Sequence, residues 1–421
     1  MEELFLGIDL GTSAMKLVLM DRKKTIRAQI TEEYEAAQPR CGWSEIDPEL
    51  WYECMERGLG RILEHGAGRQ IRAIGVTGQM HTLIVLGEDE KPVRPAMMWN
   101  DIRTRDLIPE LKQKMAEFPE GAYLSKTVST GSPAANLYWL KKNEPEHFAA
   151  IRKFLIGPDY LVFRLTGRAG TDYCEASTSC LYEICGRRWS EPMRKLLGLP
   201  REAYPPVQGS ALAAGTIRKE LAEKFVIPAG TPVLTGTGDN PATAISTGCM
   251  GRGYPVISLG TSGVFMMPVE KPGDEARGKT ILFSFDDRAY FYLVQGAVQS
   301  NGSTLEWWVR SILETDDFSV VDQTVDPKTA WKGSVLFYPH LVGDKTLYAD
   351  PNLRGGFFGL STETDRAGML YAVIEGLCFS FRELAEKMKL PLEKFGSVKV
   401  VGGGAKSRVW MQTMANVLNI R

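Results

Sequence analysis

Apolar residues along the chain fall into two rhythms. Residues 4–9 (LFLGID) and 15–20 (MKLVLM) are short strand-like runs flanking the small residues of LGTSA, which predicts a β-hairpin. Runs at 72–78 (RAIGVTG) and 83–86 (LIVL) read as further strands, the second closed by turn-rich GEDEKP. The helical rhythm appears at 49–63, where Asp47 and Pro48 supply an N-cap and a first-turn proline. It returns at 365–389, with apolar residues at 370, 373, 374, 377, 381 and 384, and predicts a core helix there. Strands alternating with helices make a mixed α/β protein.

The hairpin pattern also repeats. Residues 8–19 (IDLGTSAMKLVL) align with 257–268 (ISLGTSGVFMMP), each an apolar strand, Leu-Gly-Thr-Ser, a small residue and a second strand. Agreement of the motif and its context predicts a duplicated domain core. The boundary is expected in glycine-rich 248–254 (GCMGRGY), giving domains 1–247 and 248–421. A chain of 421 residues is long enough for both.

Composition narrows the function classes. Fifty basic residues balance 51 acidic ones, which offers no bulk charge for nucleic acid or an acidic membrane. The Cys count is seven, an odd number without a CxxC pair, so a reduced, cytoplasmic setting is expected rather than a disulfide framework. MEELFLGIDLG lacks the basic start of a signal peptide. No apolar run approaches the ~18 residues of a membrane span. A soluble cytoplasmic protein is expected.

Several stretches carry candidate chemistry. Each LGTS turn aims backbone amides and hydroxyls at one spot, a site suited to phosphate. Two such turns, one per domain, would clamp a polyphosphate across an inter-domain cleft. The copies differ at Asp9, which is Ser258 in the second, and a single carboxylate beside phosphates suits Mg²⁺. A third glycine cluster, Gly402-Gly403-Gly404, lies between a β-rich run and a helix beginning near Ser407, the order of a nucleotide-binding turn. By contrast, 273–280 (GDEARGKT) matches the Walker A expression without its context. A hairpin-like ILFSFDDRAYFYLVQ follows it, and a charged surface loop is the better reading.

Two clusters look like ligand contacts. Gln79, Met80 and His81 follow a strand that ends in glycine, and Trp99, Asn100, Asp101 and Arg103 follow another apolar run. An aromatic face with amide, acid and guanidinium groups suits a polyhydroxylated ligand. Finally, Asp239 in 235–248 (TGTGDNPATAISTG) is a lone carboxylate with no counter-charge within five residues, on closely approachable backbone.

Together these pieces resemble the FGGY carbohydrate kinases, on the actin/Hsp70/hexokinase-like (ribonuclease H-like) fold of two domains around a cleft, and most closely the xylulose kinase branch. The resemblance is carried by IDLGTSAMK (8–16), GQMH (78–81), RPAMMWNDIR (94–103), TDYCEAS (171–177), GTGDN (236–240), SLGTSG (258–263), NGSTLEWW (301–308) and VGGGAKSRVW (401–410), in family order. It implies ATP-dependent phosphorylation of a sugar hydroxyl, D-xylulose to D-xylulose 5-phosphate, with Asp239 as general base and Asn240 on the same sugar. It further implies Met80, His81, Trp99, Asn100 and Arg103 around the sugar. Thr12, Ser13, Lys16, Gly260 and Thr261 would face the ATP phosphates, with Gly302, Gly403, Gly404 and Ala405 near the nucleoside and Asp9 at Mg²⁺. The implied partner is a small sugar, without nucleic acid or membrane, and a homodimer is compatible with it.

Three departures from the family qualify this. Xylulose kinases usually read GQMHG, whereas Thr82 follows His81, and a branched residue there is expected to narrow the pocket. The stretch 343–346 (GDKT) stands where GERTP is usual. Family members continue past 417–421 by ~30 residues or more, a strand–helix unit beside the adenine site, so an open nucleotide pocket and low activity are expected. Another ketose, a sugar acid or a polyol, and a non-catalytic relative, stay open as readings.

Overall fold

The computed structural model describes residues 3–420 apart from 120, 253, 273–277, 327–334, 345, 349, 351, 391, 393 and 394, with the backbone only at 65, 251 and 252. The chain forms two compact units, Met1–Thr243 together with Ile281–Phe291, and Ala244–Thr280 together with Tyr292–Arg421. Among the described residues no helix is long and apolar enough to cross a membrane. Most of the Walker-like stretch and Lys345 of GDKT lie outside the described residues.

The first unit is built on a seven-stranded sheet. Its strands run in the order Ala213–Thr216, Pro232–Leu234, Ile71–Gly78, Leu4–Leu10, Ala14–Asp21, Ile26–Glu33, and Thr237–Gly238 also pairs with Ile71–Gly78. The predicted hairpin is present, with Asp9 opposite Lys16 and Leu10 opposite Met15. Alternation works as the pleat demands: Leu6, Ile8, Met15, Leu17 and Leu19 are buried. They pack on the helix Pro48–Ile62 through Trp51, Met55 and Leu59. That helix starts as the sequence predicts, with Asp47 accepting from Glu49 N–H at 3.0 Å.

The second unit repeats the plan. Its sheet runs Lys279–Ser284, Tyr290–Val298, Gly263–Val269, Val256–Leu259, Lys399–Val401. In both units the first hairpin strand has its antiparallel partner on one side and a parallel strand on the other. The turns differ by one residue. Leu10 pairs with Met15, whereas Leu259 pairs with Gly263, so four residues connect the first hairpin and three the second. The core helix Arg366–Lys387 is capped by Asp365, which accepts from Gly368 N–H at 2.7 Å. All six apolar positions of its helical period are buried.

Candidate active site

Three parallel strands end side by side in the first unit. Asp9 and Leu10 pair with Thr77 and Gly78, which pair in turn with Thr237 and Gly238. The residues after each strand therefore emerge together: 11–13, 79–82, and Asp239 with Asn240. Strands lie ~4.8 Å apart, so these segments share one sheet edge, the carboxyl edge where open α/β sheets bind ligands. Gly238 permits the approach, because a Cβ there would lie 2.4 Å from Met80 Cγ and 2.9 Å from Glu175 Oε1.

Asp239 opens the helix Asp239–Ser246. Loss of hydration under the surrounding protein, and secondly the negative charge of Asp9, push its carboxyl up to about 7 against the pull of the Asn240 N–H and its own N–H. Solvent still reaches the residue, which screens part of that rise and leaves the carboxylate open to a reactant. Asp9 is half-buried; burial raises its carboxyl, and Lys16 across the hairpin pulls the other way. Thr12 is half-buried, while Ser13 and Lys16 are exposed.

The 79–82 turn is bent at His81, whose φ of 71° is the left-handed conformation that non-glycine residues seldom take. Its N–H donates to Glu175 Oε2 at 3.3 Å. Met80 is buried at the turn and His81 is half-buried. Thr82, expected to narrow a pocket, is instead wholly buried, and its hydroxyl joins Trp99 N–H and Gln79 Oε1. Trp99 reaches the first hairpin, its indole N–H donating to Thr12 Oγ1 at 3.0 Å. Asn100 is exposed.

Arg103 does not join this group. Its side chain is 1% exposed and bridges Asp101 at 2.6 Å and Glu45 at 2.7 Å. The guanidinium also lies over Trp43 at 3.7 Å and Trp139 at 5.1 Å. With its charge matched by two carboxylates and its faces covered by indoles, it braces the loop from behind. Glu175, Asp159 and Asp172 are buried carboxylates that sequence reading did not single out as site residues. Burial holds all three above the usual carboxylate range, Asp172 at about 6. TDYCEAS contains two of them, yet nothing in seven letters separates a buried acid from a surface one.

In the second unit, the Gly260–Thr261 turn is stitched to 301–303. Gly302 N–H donates to Gly260 O and Ser303 N–H to Thr261 O, both at 3.0 Å, and Asn301 Nδ2 also reaches Gly260 O at 3.0 Å. Only glycine fits at 302, since a Cβ would lie 2.3 Å from Gly260 O. Val401 pairs with Ser258, so the glycine turn emerges beside this second hairpin. The helix predicted to begin near Ser407 starts at Arg408, and a 3₁₀ turn, Gly403–Lys406, fills the space between it and Gly402. Ser407 then caps Arg408–Leu418 by accepting from Trp410 N–H at 3.2 Å. Gly404 packs on Trp410 and Leu259, whereas Gly403 faces open space, and Ala405 is half-buried.

Profiles of the N-terminal and C-terminal domains of the FGGY family of carbohydrate kinases match residues 4–246 and 256–421. The chain belongs to the FGGY family of carbohydrate kinases. It is 32% identical to a xylulose kinase of Lactococcus lactis, covering 98% of this chain and 83% of the relative. The structure of a xylulose kinase from Lactobacillus acidophilus superposes with a TM-score of 0.89 at 26% identity, over 99% of this chain and 85% of that one. A gluconate kinase from the same organism gives the same TM-score, 0.89, at 25% identity, over 100% and 85% of the two chains. The fold is thus the two-domain α/β kinase fold of this family, actin/hexokinase-like, and the enzyme is a sugar kinase whose family uses ATP as phosphate donor. Equal scores for a ketose kinase and a sugar-acid kinase mean that backbone likeness does not choose the sugar.

Proposed function

We propose that this kinase phosphorylates D-xylulose, forming D-xylulose 5-phosphate, with Asp239 as general base. The observation that carries the reading is the placement of Asp239. It follows directly from a strand end aligned with the Asp9 hairpin, and its proton affinity is raised toward neutrality. The carboxylate accepts the proton of the sugar hydroxyl as that oxygen bonds to the γ-phosphorus and the bond to the β–γ bridging oxygen breaks, releasing ADP. Asn240, Met80, His81, Trp99 and Asn100 line the sugar side. Thr12, Ser13 and Lys16 on the first hairpin, and Gly260, Thr261, Gly302 and the 403–405 turn in the second unit, take the nucleotide.

Asp9 is the residue that would hold Mg²⁺. Among the described residues no group of three His, Cys, Asp or Glu is suited to a metal, so an all-protein cage is not on offer. Mg²⁺ needs none, since one carboxylate, water and phosphate oxygens suffice. When bound, the ion neutralises phosphate charge.

The main rival substrate is a sugar acid, since a gluconate kinase matches as well in fold. A carboxylate ligand asks for a cation, and the guanidinium of the Trp99 loop is already paired with Asp101 and Glu45. That favours the uncharged ketose. The test is ADP release from Mg-ATP across D-xylulose, L-xylulose, D-ribulose, gluconate, glycerol and erythritol, with Asp239→Asn as control. D-xylulose is expected to give the highest kcat/KM, and the control to lose about 10²–10⁴ in kcat. Faster turnover of gluconate or a polyol, or an Asn variant with full kcat, would overturn the proposal.

A further inference from the structure

A closed circuit of hydrogen bonds runs through the first unit. Gln79 Nε2 donates to Gly11 O at 3.3 Å, in the first hairpin turn. Gln79 Oε1 accepts from Thr82 Oγ1 at 3.3 Å. Thr82 Oγ1 in turn accepts from the backbone N–H of Trp99 at 3.2 Å. The indole of that same tryptophan donates to Thr12 Oγ1 at 3.0 Å, beside Gly11. Three chain segments remote in sequence, 11–12, 79–82 and 99, are thereby closed into one ring. Gln79 is 2% exposed and Thr82 0%, so water does not compete at its inner half.

We infer that Thr82 is a positioning residue that couples the sugar side of the site to the phosphate side, its hydroxyl fixing Trp99 and Gln79 and through them the Gly11–Thr12 turn. The inference rests on the proposed roles of Trp99 at the sugar and Thr12 at phosphate. A threonine hydroxyl has one proton to give and lone pairs to receive, and here both functions are used at once. Gly11 O is similarly doubly engaged, since Tyr34 O–H also donates to it. The geometry at Thr12 follows: with a lone pair occupied by the indole, its own proton remains to donate to a phosphate oxygen. A shift of Trp99 on sugar binding therefore reaches Thr12 directly. A glycine at position 82 would have no hydroxyl and would close no such ring.

The test compares Thr82→Val, Thr82→Ser, Thr12→Val and the Thr82→Val/Thr12→Val double variant in the full chain. The readouts are the KM for D-xylulose, the KM for ATP and the ¹⁵N–¹H indole resonance of Trp99, assigned through Trp99→Phe. Thr82→Val is expected to raise both KM values about fivefold and to move the Trp99 indole resonance toward its position in Thr12→Val. Thr82→Ser, which keeps the hydroxyl, stays within about twofold of the parent. The double variant has an ATP KM no higher than Thr12→Val alone, because the ring is already open. A Thr82→Val protein that raises only the sugar KM, with the Trp99 indole unmoved, would overturn the coupling. If no sugar is turned over, the function reading fails on its own. The indole shift and the dissociation constant of Mg-ATP, measured by calorimetry, then decide the ring. If valine prevents folding, the serine variant decides: a shifted indole despite its hydroxyl would count against the inference.

Discussion

At Asp239 opposing local effects set one proton affinity. Loss of hydration and Asp9 raise it toward about 7, two backbone N–H groups lower it, and solvent at the exposed residue screens part of the rise. A base acts when deprotonated, so kcat/KM for the sugar is expected to fall as pH drops through about 7, and a pH–rate profile checks it. Because Asp9 contributes to the rise, Asp9→Asn should move the Asp239 pKa downward in nucleotide-free protein, read by ¹³C-carboxyl NMR; an unmoved value would remove Asp9 as a cause. Arg103 illustrates the opposite case, a charge used for structure. Arg103→Lys keeps the charge but cannot fork between Asp101 and Glu45 or fill the space between two indoles. A loss of about 3 kcal/mol in stability is expected, measured as a lower urea midpoint. Sequence reading found the chemistry of Arg103 but put it on the wrong side of the loop, because pairing with Glu45, 58 positions earlier in the chain, leaves no local mark.

Elements were the most legible scale. The first hairpin, the Asp47-capped helix and the long core helix appear within a residue or two of their sequence limits, since periodicity and capping are local properties. The matched LGTS turns likewise fold as matched hairpins, though one residue apart in connection length. That slip escapes sequence reading because Ala14 and Gly263 are both merely small residues there. The second hairpin depends on Gly302 as much as on its own turn. Gly302→Ala drives a methyl into Gly260 O, so it should cost about 1–3 kcal/mol and weaken Mg-ATP binding by at least tenfold in calorimetry. Unchanged affinity would separate that turn from the nucleotide.

At the scale of the molecule, stability carries the sign of its buried acids. Asp159, Asp172 and Glu175 bind protons more tightly folded than unfolded, because burial raises all three. An unfolded carboxylate releases its proton near pH 4, so between there and the folded values the native state holds more protons. Stability should therefore fall as pH rises from about 5 through about 6, where Asp172 titrates, and further above it as the other two ionise. Urea midpoints across that range test it. Glu175→Gln, neutral at every pH, should flatten the decline, and a decline unchanged by it would take Glu175 out of the account.

The sequence by itself determined the family, the duplicated hairpins, the lone carboxylate at 239 and the absence of bulk charge for nucleic acid. All of these are local, or repeat at a distance the eye can align. Only the tertiary structure decided which side chains meet. Parallel pairing sets Asp9, Thr77 and Thr237 in one row, and so brings the Asp9 hairpin, the His81 turn and Asp239 to one sheet edge. Burial raised the proton affinity of Glu175, and hydrogen bonding turned Thr82 from a pocket wall into a junction. Strand pairing and desolvation act between residues far apart in the chain, which is why neither can be read from neighbours in sequence.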